Sequence, residues 1–260
     1  MQQQSSPVAY GFVGTGAITA AIVEGLNAGA DAPAVFLSPR SRDVGQELAS
    51  RFPTVQVCGS NQDVLENATS IVVAVRPQVA REVLAKLSFR PEHVVISVMA
   101  GVRLEQVQGW VAPAAHVVRS IPLPSAARAR SVTAMYPDNA DARELFSRVG
   151  DLLVPGEETT LDALSAATAT FAAHFDYLTT IVNWLAENGV ESDAATAYTT
   201  HIFGQLGQTL SERTDSLATL TEKHMTPGGI NQQLMTDLRG EGVPDAVRRA
   251  LDRVLARLRE

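Results

Sequence analysis

Gly11-Phe12-Val13-Gly14-Thr15-Gly16-Ala17-Ile18-Thr19-Ala20-Ala21 is the stretch that decides the fold. It closes an apolar, β-rich run over residues 8–13 and opens a helix-patterned segment over 17–28. In a strand–turn–helix of this kind the first glycine makes the tight turn and the second lets the backbone approach a pyrophosphate. The helix N-terminus then offers free N–H groups and a partial positive charge to that anion. The third small position holds Thr19, with Ala20 and Ala21 behind it. A two-glycine turn also serves purely structural roles in other α/β folds. Its place after the first strand of an alternating domain favours a dinucleotide. Gly14, Thr15, Gly16, Ala17 and Ile18 are the candidate contacts.

Outward from this turn, further apolar runs over 34–37, 70–75, 93–99 and 115–118 predict strands, and segments over 42–51 and 79–87 predict helices between them. Ser70-Ile71-Val72-Val73-Ala74-Val75 is apolar on both faces, as strands covered by helices on two sides are. Alternation of this kind predicts a parallel, doubly wound sheet. The pattern changes after Pro155-Gly156. Residues 161–187 contain no Pro or Gly and predict one long helix; further helices are predicted over 193–213, 230–239 and 244–259, and no strand after 155. The expectation is an α/β chain: a Rossmann dinucleotide-binding domain over 1–158, followed by an all-helical domain over 159–260.

The end of the second strand discriminates between cofactors. An NAD enzyme tends to place Asp or Glu there to hold the ribose 2′-hydroxyl. This chain has Ser38-Pro39-Arg40-Ser41-Arg42, with no acid before Asp43. Hydroxyls and guanidinium groups suit a 2′-phosphate, so Ser38 and Arg40 are candidate NADP contacts. The alternative is a Ser-Pro turn before a helix with solvated arginines, and both can hold together.

The 260 residues are 45% hydrophobic and 19% charged with a formal net charge of −7, ordinary for a globular protein and adverse to general binding of nucleic acid or anionic membrane. The single cysteine, Cys58, cannot form an internal disulfide. Residues 1–7 lack a basic stretch before an apolar run, and no apolar run approaches the roughly 20 residues of a membrane span. A cytoplasmic protein is expected. Five scattered histidines and one cysteine show no metal-ligand spacing, so no metal is expected.

Several motifs together resemble the pyrroline-5-carboxylate reductase family over about residues 8–258. These are the glycine turn, Ala74-Val75-Arg76-Pro77-Gln78, Ser97-Val98-Met99-Ala100-Gly101-Val102, Arg119-Ser120-Ile121-Pro122 and Met225-Thr226-Pro227-Gly228-Gly229. The resemblance implies reduction of the cyclic imine Δ1-pyrroline-5-carboxylate to proline with NAD(P)H, and cofactor contacts at Val75, Arg76 and Pro77. It also implies a homodimer through the C-terminal helices, or a larger assembly of dimers. The apolar character of residues 161–220 points to the same dimer. The chain departs from the family at three places. Leu123 replaces an Asn; the run ending Ala172-Ala173-His174-Phe175-Asp176-Tyr177 replaces Gly-Ser-Gly-Pro-Ala-Tyr; and Asn231 replaces a threonine assigned to proton donation or substrate binding.

Reducing an imine needs a hydride on carbon and a proton on nitrogen. His174 and Tyr177, three apart on one helix, share a face and with Asn231 are the catalytic candidates. Their alternative role is as half-buried residues on a packing face. The amides of Gly228 and Gly229, at a helix N-terminus, are candidates for holding a substrate carboxylate, unless Pro-Gly-Gly is a plain interhelical turn. Asp176, if it faces the pocket, would repel a carboxylate and favour an amine-bearing substrate. Two other functions fit the sequence: an NADPH-dependent reductase of a different imine or carbonyl compound, and a non-catalytic NADP-binding protein.

Overall fold

The structure is a computed structural model that describes residues 9–212 and 215–260. Residues 1–7, Val8 at the head of the first expected strand and Arg213 at the end of an expected helix lie outside the described residues.

The described chain alternates strand and helix to residue 153. The strands are β1 (Ala9–Val13), β2 (Ala34–Leu37), β3 (Val55–Val57), β4 (Ser70–Val73), β5 (Val94–Ser97), β6 (His116–Ile121), β7 (Ser131–Tyr136) and β8 (Gly150–Leu153). Among them lie α1 (Ala17–Leu26), α2 (Arg42–Arg51), α3 (Asn61–Asn67), α4 (Pro77–Leu84), α5 (Leu104–Val111) and α6 (Ala140–Ser147), with a 3₁₀ turn over Pro124–Arg128. One sheet has the order β3-β2-β1-β4-β5-β6-β7-β8. Its first six strands are parallel; β7 runs antiparallel to β6 and β8 parallel to β7. The order 3-2-1-4-5-6 is that of a Rossmann sheet, with its switch point between β1 and β4.

Both faces of the sheet are buried, and successive residues of one strand feed opposite cores. Along β4, Ile71 and Val73 join a cluster with Val64, Leu65, Ala80, Leu84, Val107 and Val111 of α3, α4 and α5. Val72, between them, joins Phe12, Ile22, Leu26, Leu48, Leu145 and Phe146 on the α1, α2 and α6 side. This two-sided burial is why the strand sequences are continuously apolar. Gly25 is required where α1 crosses the 3₁₀ turn, since a Cβ there would stand 2.0 Å from the carbonyl oxygen of Ala126.

From residue 158 the described chain is helical: α7 (Glu158–Thr168), α8 (Thr170–Glu187), α9 (Ser192–Glu212), α10 (Leu217–His224), α11 (Ile230–Gly240) and α12 (Val243–Arg259). The expected single helix over 161–187 is broken at Ala169. The Thr170 hydroxyl donates to the carbonyl of Ala167 at 2.7 Å, and the Ala169 amide bonds three residues back to Ala166. Such local bonds compete with the helical ladder and need no Gly or Pro. Two compact units result: the described residues through Ser165 together with Leu255–Glu260, and Ala166–Val254. The first turns of α7 and the last of α12 therefore belong to the Rossmann unit. In the helical unit α8 packs along α9, and Ala166, Ala195 and Thr199 are its buried residues among those described.

His93 is fully buried before β5. Its Nδ1 accepts from the Arg90 amide at 3.0 Å, which puts the proton on Nε2, 3.1 Å from the carbonyl oxygen of Leu65. Burial, with Arg90 adding to it, holds this imidazole below the usual histidine range. The unfolded chain takes up a proton near pH about 6.5 that the folded state resists. Stability from this group is therefore present above that pH and falls as pH drops from there towards the folded pKa. His93→Gln keeps one donor and one acceptor but does not titrate. Thermal melts from pH 7 to 5.5 should show a smaller fall in Tm for the variant than for the wild type; parallel curves would refute the assignment.

Candidate functional site

The cofactor end of the Rossmann unit is built by the turn after β1. Gly14 sits at φ +105°, and a Cβ there would stand 2.5 Å from the carbonyl oxygen of Ala74, at the end of β4. The Ser38 hydroxyl accepts from the Gly14 amide at 2.9 Å. Thr15 Oγ1 donates to the Ser38 carbonyl at 2.8 Å, and Thr19 Oγ1 donates to the Gly14 carbonyl at 2.7 Å. Thr19 therefore fills the third position of the motif with a hydroxyl that closes the turn.

Gly16 is different. It caps α1 in an extended conformation (φ −101°, ψ −170°), and a Cβ built on it would meet nothing within 4 Å. No side chain caps the helix and no acid stands in its first turn. The N-terminus of α1, with Ala17 and Ile18 in that first turn, keeps unspent N–H groups facing open space. These features fit a dinucleotide pyrophosphate. Val75, Arg76 and Pro77 follow β4 across the β1/β4 crevice, with Arg76 as N-cap and Pro77 as first residue of α4. Arg40 and Arg42 are exposed after β2 and, like Arg76, form no ion pair among the described residues. Ser38 and Thr15 differ from expectation. Both are buried and their hydroxyls bond each other's segments, so they shape the loop instead of presenting oxygens to a ligand.

In the helical unit, His174 and Tyr177 of α8 pack edge-on against Phe203 of α9, at centroid distances of 6.0 and 5.9 Å. Tyr177 borders two cavities. One, of about 620 Å³, is also lined by His224, Met225, Asn231 and the leucines at 206, 210, 217 and 220. The other, of about 370 Å³, is lined by His174, Thr170 and apolar residues of α12. Tyr177 and Asn231 thus share a cavity, and His174 faces its neighbour. The Asn231 amide donates to the His224 carbonyl at 3.0 Å, which spends that donor within the unit.

Asp176 and Phe175 are exposed and line neither cavity. Helical spacing turns them from the face of 174 and 177, so the expected charge of Asp176 in the pocket is not found. The glycine amides also depart from expectation. Gly228, at φ +74°, donates to Gln232 Oε1 at 2.7 Å, and Gly229 donates to the Thr226 carbonyl at 2.8 Å. Neither N–H is free. Gln232 and Phe203 were not expected at the site. The signal for Gln232 was its position three residues past the N-cap Gly229, where a Gln side chain reaches back to cap the turn.

Comparison with known proteins extends this picture. The family described as NADP oxidoreductase coenzyme F420-dependent matches residues 9–101, and the pyrroline-5-carboxylate reductase dimerisation family matches residues 158–260. A pyrroline-5-carboxylate reductase of Pseudomonas aeruginosa is 24% identical over 253 residues, covering 93% of this chain and 92% of that one. Residues 158–260 thus match the dimerisation region of pyrroline-5-carboxylate reductases, and over most of its length the chain is similar to such a reductase. The fold agrees with that of a 1-pyrroline-5-carboxylate reductase from Streptococcus pyogenes (TM-score 0.83, 21% identity, 96% of this chain and 98% of that one). It also agrees with that of a Plasmodium falciparum pyrroline carboxylate reductase with NADP bound (TM-score 0.79, 16% identity, 98% and 97%). Among the described residues no helix is long and apolar enough to cross a membrane, and no cluster of His, Cys, Asp and Glu could hold a metal ion.

The two glycines make a paired test of the cradle. Gly16→Val should leave the thermal midpoint within a degree or two, because its side chain meets open space, yet weaken NADPH binding more than tenfold by filling that space. Gly14→Val should lose both, since its Cβ collides with β4. Fluorescence titration with NADPH and thermal melts separate the two. Tight binding by Gly16→Val would place the pyrophosphate elsewhere.

Proposed function

We propose that this protein is an NADPH-dependent imine reductase that converts Δ1-pyrroline-5-carboxylate to proline. The observation that carries the reading is the presence in one chain of an open, uncapped glycine cradle at Gly16 and of the family's dimerisation helices over 158–260. NADPH, when bound, supplies the hydride. Gly16 and the first turn of α1 hold its pyrophosphate, Arg40 and Arg42 its 2′-phosphate, and the segment 75–77 borders it; Ser38 and Thr15 fix the loop. The imine is held by the helical unit, in the cavity shared by Tyr177 and Asn231. A cyclic imine is protonated by solvent in part near neutral pH, and it is this iminium that accepts the hydride, so Tyr177 need only orient the nitrogen, with His174 packed through Phe203 behind it.

The helical unit acts as a homodimer in this reading. Phe175, Trp184, Tyr198, Leu217 and Ile230 are more than half exposed in the single chain, far more apolar surface than a monomer leaves in water. A reductase drawing on NADPH, with its one cysteine a free buried thiol, belongs in the cytoplasm.

A second reading, reduction of an imine without a carboxylate, is favoured by Gln232, which occupies the Gly228 amide. NADPH oxidation with Δ1-pyrroline-5-carboxylate and with carboxylate-free Δ1-pyrroline tests both readings. The first expects kcat/KM of about 10⁴ M⁻¹s⁻¹ or better for the carboxylate. In Gln232→Ala, KM for the carboxylate should fall about fivefold, the worth of one freed hydrogen bond, with Δ1-pyrroline unchanged. Turnover of neither imine would overturn the proposal. Arg40→Glu should raise the Kd for NADPH at least tenfold and leave NADH within twofold; equal losses would remove Arg40 from the 2′-phosphate.

A further inference from the structure

The loop Val98-Met99-Ala100-Gly101-Val102-Arg103 leaves the carboxyl end of β5 and enters α5 at Leu104. At its head the Val98 amide donates to the Val73 carbonyl of β4 at 3.0 Å. The next residue of that strand's end is Ala74, whose carbonyl the Gly14 turn passes over. Met99 and Val102 are buried and Ala100 is exposed, so the crown of the loop shows solvent nothing larger than a methyl group.

The tail of this loop is held by residues remote in sequence. Glu158, the first residue of α7, accepts at one oxygen from the Leu104 amide at 2.7 Å and from Arg119 Nη1 at 2.5 Å. Arg119 is buried on β6, in register with Ser97 at the end of β5, and its Nη2 donates to Asp162 at 3.0 Å. The last residues of the chain close the other side. Arg103 donates to the Arg259 carbonyl at 3.3 Å. Leu258 packs on Gly101, its Cδ2 3.4 Å from where a Cβ would stand. All these residues belong to the Rossmann unit.

A desolvated ion pair is a poor source of stability compared with apolar residues of the same volume; what it gives is direction. Here the direction is that of one amide. Arg119, itself held by Asp162, fixes the Glu158 carboxylate, and the carboxylate fixes the first residue of α5 against β6. Gly101, at φ +73°, has no side chain with which to anchor itself, and Leu258 supplies the contact from outside. A Rossmann sheet has two mononucleotide-binding halves and takes a dinucleotide across the crevice between them. With the 2′-phosphate on Arg40 after β2, the adenosine half lies over β1–β3 and the nicotinamide half over β4–β6, beside this loop.

We infer that Glu158, Arg119 and Leu258 are positioning residues for the nicotinamide half of NADPH, acting through the loop over 98–103. The inference rests on the function proposed above, which supplies the cofactor.

The test uses the full chain and two nucleotides: NADPH, and adenosine 2′,5′-bisphosphate, which is its adenosine half alone. Glu158→Ala takes the carboxylate from both of its donors. Leu258→Ala uncovers Gly101 and leaves the ion cluster intact, so it keeps the test open should Glu158→Ala fail to fold. Glu158→Gln keeps an oxygen for the Leu104 amide and is the conservative variant. Amide hydrogen exchange over 98–104 should quicken in Glu158→Ala and Leu258→Ala, while β1 and α1 exchange as in the wild type. If the ordered loop falls to about a tenth of the molecules, the Kd for NADPH rises about tenfold while that for the bisphosphate stays within about twofold. Glu158→Gln should recover most of the NADPH affinity. Equal losses for the two nucleotides in Leu258→Ala would make these contacts merely structural and overturn the inference. Unchanged exchange in that variant overturns it too, as does quickened exchange with unchanged NADPH affinity. A wild-type protein that binds neither nucleotide overturns the function proposed above and the inference with it, an outcome distinct from any change confined to the variants.

Discussion

The turn after β1 must pass over the end of β4 at a distance that no side chain permits. β1 and β4 are neighbours in the sheet, and the Ala74 carbonyl stands where a Cβ of Gly14 would be. Everything at the cofactor end follows from that approach. The chain must turn left-handed at Gly14, so its amide points to β2, where the Ser38 hydroxyl takes it, and its carbonyl points to α1, where Thr19 takes it. With these groups partnered, the first amides of α1 have no side-chain cap. An uncapped helix with no acid in its first turn then offers its positive end to an anion. The cradle is a by-product of satisfying the turn.

Much of this was legible in the sequence because burial on both faces writes itself as continuous apolar runs. β1, β2, β4, β5 and β6 were readable for that reason. β3 and β8 were not: they are edge strands of three and four residues, too short and too polar on one face to form a pattern. β7 alternates serine and threonine with apolar residues and runs antiparallel to β6, which an alternating helix–strand reading does not anticipate. At the site, residue type was legible and orientation was not. Ser38 after β2 reads equally as a phosphate ligand or as a partner of the glycine turn, and only the path of the backbone decides. Two glycines before a helix read as free donors, and only the reach of Gln232 and the fold-back of Thr226 show them spent. His174, Tyr177 and Asp176 lie within one turn, and helical geometry alone parts the first two from the third.

The helical unit has a different economy from the sheet. Its apolar residues are numerous but few are buried within the chain, and the largest of them are exposed. Helices of this composition have little core of their own. Their stability must come from surface covered elsewhere, and a self-complementary twofold interface is the commonest way to cover it. Sequence drift in such a unit is tolerated where it keeps apolar character. That is consistent with replacing a run of glycine, serine and proline by Ala173, His174 and Phe175 while the family's helices persist. Here the rings of His174 and Tyr177 pack edge-on against Phe203 of α9.

That replacement bears on the chemistry. On the function proposed, hydride transfer turns a cationic iminium into a neutral amine and leaves the positive charge on the nicotinamide. A wall of leucine and methionine around Tyr177 and Asn231 disfavours a cation and tolerates a neutral amine. The same wall that weakens binding of the protonated imine therefore favours the step that discharges it, provided one polar group keeps the nitrogen in place. The Thr209 and Thr221 hydroxyls in that cavity donate to their own helices, so on this proposal the group is Tyr177, whose ring packs edge-on against Phe203 at 88°. An acidic side chain at the same place would stabilise the iminium and slow its discharge. That Asp176 turns away from the cavity, one residue before Tyr177, is thus as much a part of the site as the groups that face it.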